Sequence, residues 1–273
     1  MIVRYVNSNG IEVNLNKEPY RMLVSDILDY DWEEISRSDK IIGFRKGIKK
    51  KAVNIDILKD KNGSARKHLS ELTDVFELDI YSKTPGKLYI DEYYLNCFFY
   101  TNKKSNWETD KLMSCEYGIT TDYPCWVREK YKRFGGAANS ILSDYGFDYS
   151  YDYAYDYASS LLNQRLVVDG PTSSHFVMII YGSCENPAVS IGTHTYKVNT
   201  SLITGEYLTI DSMKKKITKT TNYGEKINVY DLRDRTYINF FEKIPAGPSP
   251  VAWSGSFGFD ITLYMERSEP AWT

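Results

Sequence analysis

Three histidines and four cysteines are the residues of this chain best suited to nucleophilic, acid–base or metal chemistry, and their spacing argues against all of these. His68 falls within a helical pattern beside charged residues, where a solvated face is the simplest reading. His175 is placed at the start of a strand and His194 in a turn, and neither has a cysteine or carboxylate at a nucleophile-activating separation. No H-E-x-x-H, G-x-S-x-G, phosphate-loop or dinucleotide fingerprint occurs. Cys97, Cys115, Cys125 and Cys184 are widely spaced without a C-x-x-C pair, which predicts free, partly buried thiols in a reducing compartment. Glycan hydrolysis needs two carboxylates converging at a set separation. Glu185, Glu206 and Asp211 are the nearest candidates, and nothing in their spacing recommends them. No catalytic residue, metal ligand or cofactor is expected.

The stretch Asp144–Ser160, DYGFDYSYDYAYDYASS, repeats tyrosine and aspartate with unusual regularity. Aspartates four apart would repel one another along a helix, and a calcium loop wants ligands two apart around a central glycine. As an extended segment the tract is coherent. Tyr149, Tyr151, Tyr153, Tyr155 and Tyr157 then share one face, and Ser150, Asp152, Ala154 and Asp156 the other. An aromatic ribbon of this kind docks onto something or aggregates.

The elements around these residues are mostly strands. The 273 residues suffice for about two domains, at roughly 100–200 residues each. Apolar and charged fractions of 42 % and 26 % are those of a globular chain, and a net charge of −2 gives no general attraction to nucleic acid or anionic membrane. Twenty-four tyrosines favour strands and contact surfaces. MIVRYVNSNGIEVNL lacks the apolar core of a signal peptide, and no window approaches the ~20 apolar residues of a membrane span. The same fifteen residues read as a hairpin about Asn9-Gly10. LDYDWEEIS (28–36) reads as an acidic loop, and IIGFRKGIKKKAVNIDIL as two strands about a basic turn, with Val53, Ile55 and Ile57 inward.

Ser64–Leu78 is the one convincing helix, with Ser64 as N-cap and Ala65, Leu69, Leu72 and Phe76 on one face. GKLYID, YYLNCFFYTN and KLMSCEYGITT follow as strands, and Gly135-Gly136 as a break. From Leu166 onward every run reads β: RLVVDG, HFVMIIYG, AVSIG, THTYKV, EYLTIDS, KITKTT, KINVYDL, TYINFFEKI and FGFDITLYME. Such spacing without helices predicts a sandwich or barrel. Pro245, Gly247, Pro248 and Pro250 are expected to punctuate a stiff loop before a strand containing Trp253. Two basic clusters, Arg45/Lys46/Lys49/Lys50/Lys51 and Lys214/Lys215/Lys216, are expected at solvated hairpin tips, with a surface facing passing nucleic acid as the sharper alternative.

The series YGSCENPAVSIGTHTYKVN, GEYLTIDS, FFEKIPAGPSPVAWSG and FGFDITLYMERSEPAW, in that order, resembles the distal tail proteins of long-tailed bacteriophages that infect Gram-positive hosts. HLSELTDVFELDIYSKTPGKLYIDEYYLNC and YPCW resemble the helix-then-strand passage of that family. The tyrosine tract resembles its interdomain segment, although it lacks the prolines such segments carry. The resemblance implies a mainly β chain in three parts: an α+β ring-forming belt domain with one helix over 1–140, the Tyr/Asp-rich segment over 141–160, and a galectin-like β-sandwich over 161–273 whose last strand can dock on the first domain. It further implies a hexameric ring at the distal end of the virion tail, made in the host cytoplasm. Its partners would be copies of itself, the tail tube protein, the tail hub or tail-associated protein, and receptor-binding or baseplate proteins. DNA would pass through the lumen unread, and no membrane would be involved.

A ring of identical subunits repeats one heterologous interface, so aromatic-rich surfaces are expected on two different faces. The tyrosines of the tract, with Arg267, Glu269 and Trp272 at the terminus, are the candidate interdomain or subunit contacts. A carbohydrate-binding module for host cell-wall polysaccharide is the alternative, although no His-x-Asn-x-Arg run of a galectin sugar site occurs and fold does not dictate function. An enzyme acting on wall polymer is a third class, without a carboxylate pair to support it.

Overall fold

A computed structural model describes residues 1–106, 110–135, 164–236 and 239–271. The chain is mainly β, with a single α-helix among the described residues. It divides into two compact units, residues 1–128 with 266–273, and residues 129–265. The divisions expected at 140 and 160, and the tract between them, lie outside the described residues.

Unit 1 begins with the hairpin β1 (Val3–Val6) and β2 (Glu12–Asn14). Its turn needs Gly10 at φ 83°, and the Asn7 side chain accepts from the backbone N–H groups of Asn9 and Ile11 at 3.1 and 2.8 Å. There follow β3 (Tyr20–Ser25), the hairpin β4 (Glu33–Arg37) and β5 (Lys40–Arg45), and β6 (Lys49–Leu58). After helix α1 (Ala65–Ser82) come β7 (Gly86–Ile90), β8 (Tyr93–Asn106), β9 (Leu112–Thr121) and β10 (Trp126–Phe134). The long β8 joins two antiparallel ladders. Tyr93–Cys97 pair with β7, which continues to β1 and β2, and Phe98–Asn106 pair with β9, which continues to β6 and β3.

Alternation puts Val53, Ile55 and Ile57 of β6 in the core, as expected from sequence. Helix α1 packs over β6, β8 and β9. Ser64 caps it by accepting from Lys67 N at 3.3 Å, and Lys83 ends it in the left-handed region. Phe76 stacks on Phe99 of β8 at 3.9 Å between centroids, and Tyr5 and Tyr117 meet it edge-on. The helix runs beyond the expected end at Leu78 because Asp79, which looks like a solvated residue, is fully buried on the same face.

Unit 2 takes in the end of β10, then β11 (Arg165–Val168), β12 (His175–Tyr181), β13 (Cys184–Glu185), β14 (Ala188–Ile191) and β15 (His194–Lys197). Next are β16 (Ser201–Leu202), β17 (Tyr207–Asp211), β18 (Lys216–Thr220), β19 (Lys226–Asn228), β20 (Gly247–Trp253) and β21 (Phe259–Arg267). One sheet runs β19-β18-β17-β12-β21-β10 and the other β11-β20-β14-β15. Inward residues of both meet in one core, among them Phe176, Met178, Ile210, Phe259 and Ile261 from the first and Val168, Val189, Ile191, Tyr196 and Val251 from the second. The sandwich expected from the regular strand spacing is therefore present.

Several expectations change. LDYDWEEIS is a loop only until Glu33, where β4 begins. Strand β10 is not among the runs expected from sequence. In TYINFFEKI no strand forms over 239–243; Phe240 and Phe241 are buried in a turn and pack against each other. The proline-rich loop is itself strand β20, pairing Pro248 with Val167 and Pro250 with Arg165. The register explains the tolerance. Val251 donates towards Gln164 on the β11 side, so Pro248 and Pro250 would donate towards β14. Pairing with β14 starts only at Val251, so their missing N–H groups leave no ladder bond unmade.

Candidate functional site

Among the described residues the β4–β5 hairpin pairs only with itself. Its two-residue turn has Ser38 and Asp39 at φ 49° and 62°, the geometry that closes a twisted hairpin. Beyond this turn lie Ile41, Ile42 and Phe44, which are 57 %, 63 % and 58 % exposed, and Ile35 on β4 is exposed as well. Tyr30 and Trp32 before the hairpin and Ile48 after it are exposed as well. A solitary two-stranded ribbon is marginal in water, and clustered exposed apolar side chains mark an interaction surface.

The base of the hairpin is electrostatically fastened. Lys49 lies 2.7 Å from Asp31 and 3.5 Å from Glu33, and Arg45 Nε donates to Glu33 Oε2 at 3.0 Å. Lys46 sits over the Trp32 ring at 4.5 Å and donates to the Pro124 carbonyl at 3.2 Å. Lys51 donates to the carbonyls of Asp26 and Asp29. The hydrogen bond between Lys49 and Asp31 raises the lysine pKa and lowers that of the carboxyl. Much of the basic run is thus matched by the acidic run before it. That arrangement suits anchoring of the hairpin better than phosphate contact. Lys214 and Lys215 fall in the β17–β18 turn and Lys216 opens β18, as expected of a hairpin tip.

Tyr149, Tyr151, Tyr153, Tyr155, Tyr157 and Trp272 lie outside the described residues. Arg267 is exposed at the end of β21, and Glu269 is half-buried. Nearby, in unit 1, the Tyr123 hydroxyl donates to Glu266 Oε1 at 2.5 Å, Pro270 is buried, and Ala271 packs on the core. Glu266 had no sequence signal of its own.

The groups considered for chemistry stand apart. His68 is not on a solvated face: it is buried, with Nε2 2.8 Å from Asp60 and Nδ1 3.2 Å from Glu71. His194 begins β15, not a turn, and its Nδ1 is 3.1 Å from Glu242. His175 begins β12 as expected. Glu206 is buried and paired with Lys219 at 2.7 Å, Asp211 accepts from Met213 N and Lys214 N in a turn, and Glu185 is exposed. All four cysteines are free thiols. Among the described residues no three His, Cys, Asp or Glu side chains gather as metal ligands, and no helix is long and apolar enough to cross a membrane.

This mainly β, two-unit architecture with one helix is the fold of the hub and baseplate chains of phage tails. The SPP1 Dit protein, described as a paradigm of the hub adsorption apparatus in Gram-positive-infecting phages, matches with a TM-score of 0.62 at 7 % identity, over 97 % of this chain and 98 % of its own. A chain of the phage P2 baseplate in its activated conformation with calcium matches with a TM-score of 0.64 at 12 % identity, over 98 % and 99 %. The same baseplate with strontium gives 0.62 at 12 % identity, over 98 % and 99 %. No family model and no curated protein sequence matches the chain. The resemblance read in the sequence thus agrees with the fold.

Proposed function

We propose that this chain is a structural protein of a phage tail tip. Six copies form a ring that joins the tail tube to the tail hub and anchors receptor-binding or baseplate proteins. Two features support this reading: the likeness in fold to SPP1 Dit and the P2 baseplate chain over nearly the whole length, and the apolar hairpin of unit 1. The hairpin is the observation that carries it. Among the described residues its isoleucines and Phe44 are left exposed, and in a ring each copy offers its hairpin to the next. A heterologous contact of this kind repeats until the rotation closes.

The role is mechanical and includes no chemical step. DNA passes through the lumen without being read, and the protein acts at the distal end of the tail after synthesis in the host cytoplasm. Electron microscopy of the purified chain, alone and with its neighbouring tail proteins, tests the reading. Six-fold rings with a wide channel are expected. Stable monomers at high concentration, with no ring even beside those partners, would refute it.

A further inference from the structure

The loop end of the unit 2 sandwich holds a cavity of about 450 Å3, within the range of roughly 300–1,000 Å3 typical of small-ligand sites. Arg133, Tyr181, Ser183, Ser256, Phe257 and Asp260 line it. Asp260 is its organising group. The carboxylate is only 8 % exposed, whereas the Arg133 side chain bound to it is 70 % exposed. Arg133 Nε donates to Oδ1 at 2.9 Å and Nη2 to Oδ2 at 3.3 Å, while the Tyr181 hydroxyl donates to Oδ2 at 2.7 Å. The exposed Tyr131 lies near this carboxylate and favours its charged form. Burial acts to raise the Asp260 pKa, and the bonds from Arg133 and Tyr181, with Tyr131 nearby, outweigh it, so the group stays ionised and the fork stays fixed.

Here the carboxylate is buried while the guanidinium, with five N–H donors of which two go to Asp260, lies open to solvent. Ser183 and Ser256 are exposed on the cavity lining, the Ser256 hydroxyl 2.7 Å from that of Ser254, and Tyr181 is exposed there as well. Arg133 and Asp260 cancel in charge. What remains is a set of fixed donors, hydroxyls and aromatic faces without a net charge, which suits a ligand with many hydroxyls and an apolar ring face.

We infer that this cavity binds a neutral saccharide of one or two pyranose rings, with Arg133 as the principal donor and the ring of Tyr181 as the stacking surface. The inference is independent of ring assembly, because every residue in it belongs to unit 2. Failure to form rings would leave it standing.

Isothermal titration calorimetry on the full chain tests it, using glucose, galactose, N-acetylglucosamine, cellobiose, lactose and chitobiose, with glycerol phosphate as the anionic control. Saturable binding of at least one neutral sugar is expected, with Kd on the order of 1 mM. Arg133→Ala should weaken it by roughly tenfold or more, and Arg133→Lys by less. If Arg133→Ala does not keep the wild-type melting curve, Ser183→Ala, at an exposed position on the cavity lining, serves instead and should also weaken binding. No heat with any neutral sugar at about 10 mM (roughly ten times that Kd), binding of glycerol phosphate alone, or binding unchanged in the folded variants would each overturn the inference.

Discussion

The Tyr5 hydroxyl donates to Asp79 Oδ2 at 2.5 Å, tying β1 to the last turn of α1 inside the unit 1 core. The other carboxyl oxygen accepts from Ser8 N at 2.7 Å, so one buried side chain satisfies two donors on the first hairpin. Burial is the chief reason the Tyr5 pKa is raised. Asp79→Ala would leave both donors without an acceptor, at about 1–3 kcal/mol each. A loss of about 2–5 kcal/mol is expected from urea unfolding, with Asp79→Asn milder because it retains an acceptor. Gly86→Ala should act on the same spot. A Cβ there would lie 2.1 Å from the Tyr5 hydroxyl oxygen and 2.6 Å from Asp79 Oδ2, forcing the pair apart.

A second buried contact gives the fold a pH dependence. The hydrogen bond between His68 and Asp60 is the leading cause holding the Asp60 carboxyl below its ordinary value; burial opposes it, and the N–H groups of Asn62 and Gly63 assist. A carboxyl whose folded pKa is depressed stabilises the fold above its unfolded value of about 3.9. That stability is lost as pH falls through the lower folded value. Asp60→Asn should therefore be less stable than wild type at neutral pH, with the deficit shrinking below about pH 4. Urea midpoints measured across that range would show it. A deficit of constant size would mean that the carboxylate charge is not involved.

The sequence displays its apolar alternation more openly than its polar anchors. Val53, Ile55 and Ile57 announce the inward face of β6, and Ser64 the start of the helix. Asp79 does not, because a buried carboxyl and a solvated one look alike until their donors are known. Pro248 and Pro250 read as a loop because their tolerance depends on where a neighbouring strand begins to pair. The same limit applies to sites. The alternation over Ile41–Phe44 indicates a strand but not whether its faces are covered, and Arg133 and Asp260 are 127 residues apart in sequence. The family resemblance reached the fold through ordered motifs, where single residues could not.

The thiols provide a direct check on burial. Cys97 lies in the unit 1 core, where burial pushes its pKa up, and burial likewise raises that of Cys115. Cys125 and Cys184 are half-buried. Alkylation of the folded protein, followed by mass spectrometry, should label Cys125 and Cys184 first. Cys97 and Cys115 should react only on unfolding, since the thiolate is the reactive form and needs access. Early labelling of Cys97 would contradict the packing of β7 against β8.

The hairpin offers the sharpest separation of folding from assembly. Ile41, Ile42 and Phe44 are largely exposed within one copy, so replacing all three with serine should change monomer stability by no more than about 0.5 kcal/mol per site. Burial of the same side chains against a neighbouring copy would contribute roughly 1–2 kcal/mol each. The triple variant should therefore weaken each interface by about 3–6 kcal/mol, roughly two to four powers of ten in affinity. Expected is a melting curve within a few degrees of wild type together with loss of rings by microscopy and light scattering. Tyr223→Ser, at a fully exposed turn residue of unit 2, should leave rings intact. If the triple variant still formed rings at wild-type concentration, the subunit contact would lie elsewhere on the molecule, and the hairpin would need a different partner from the tail.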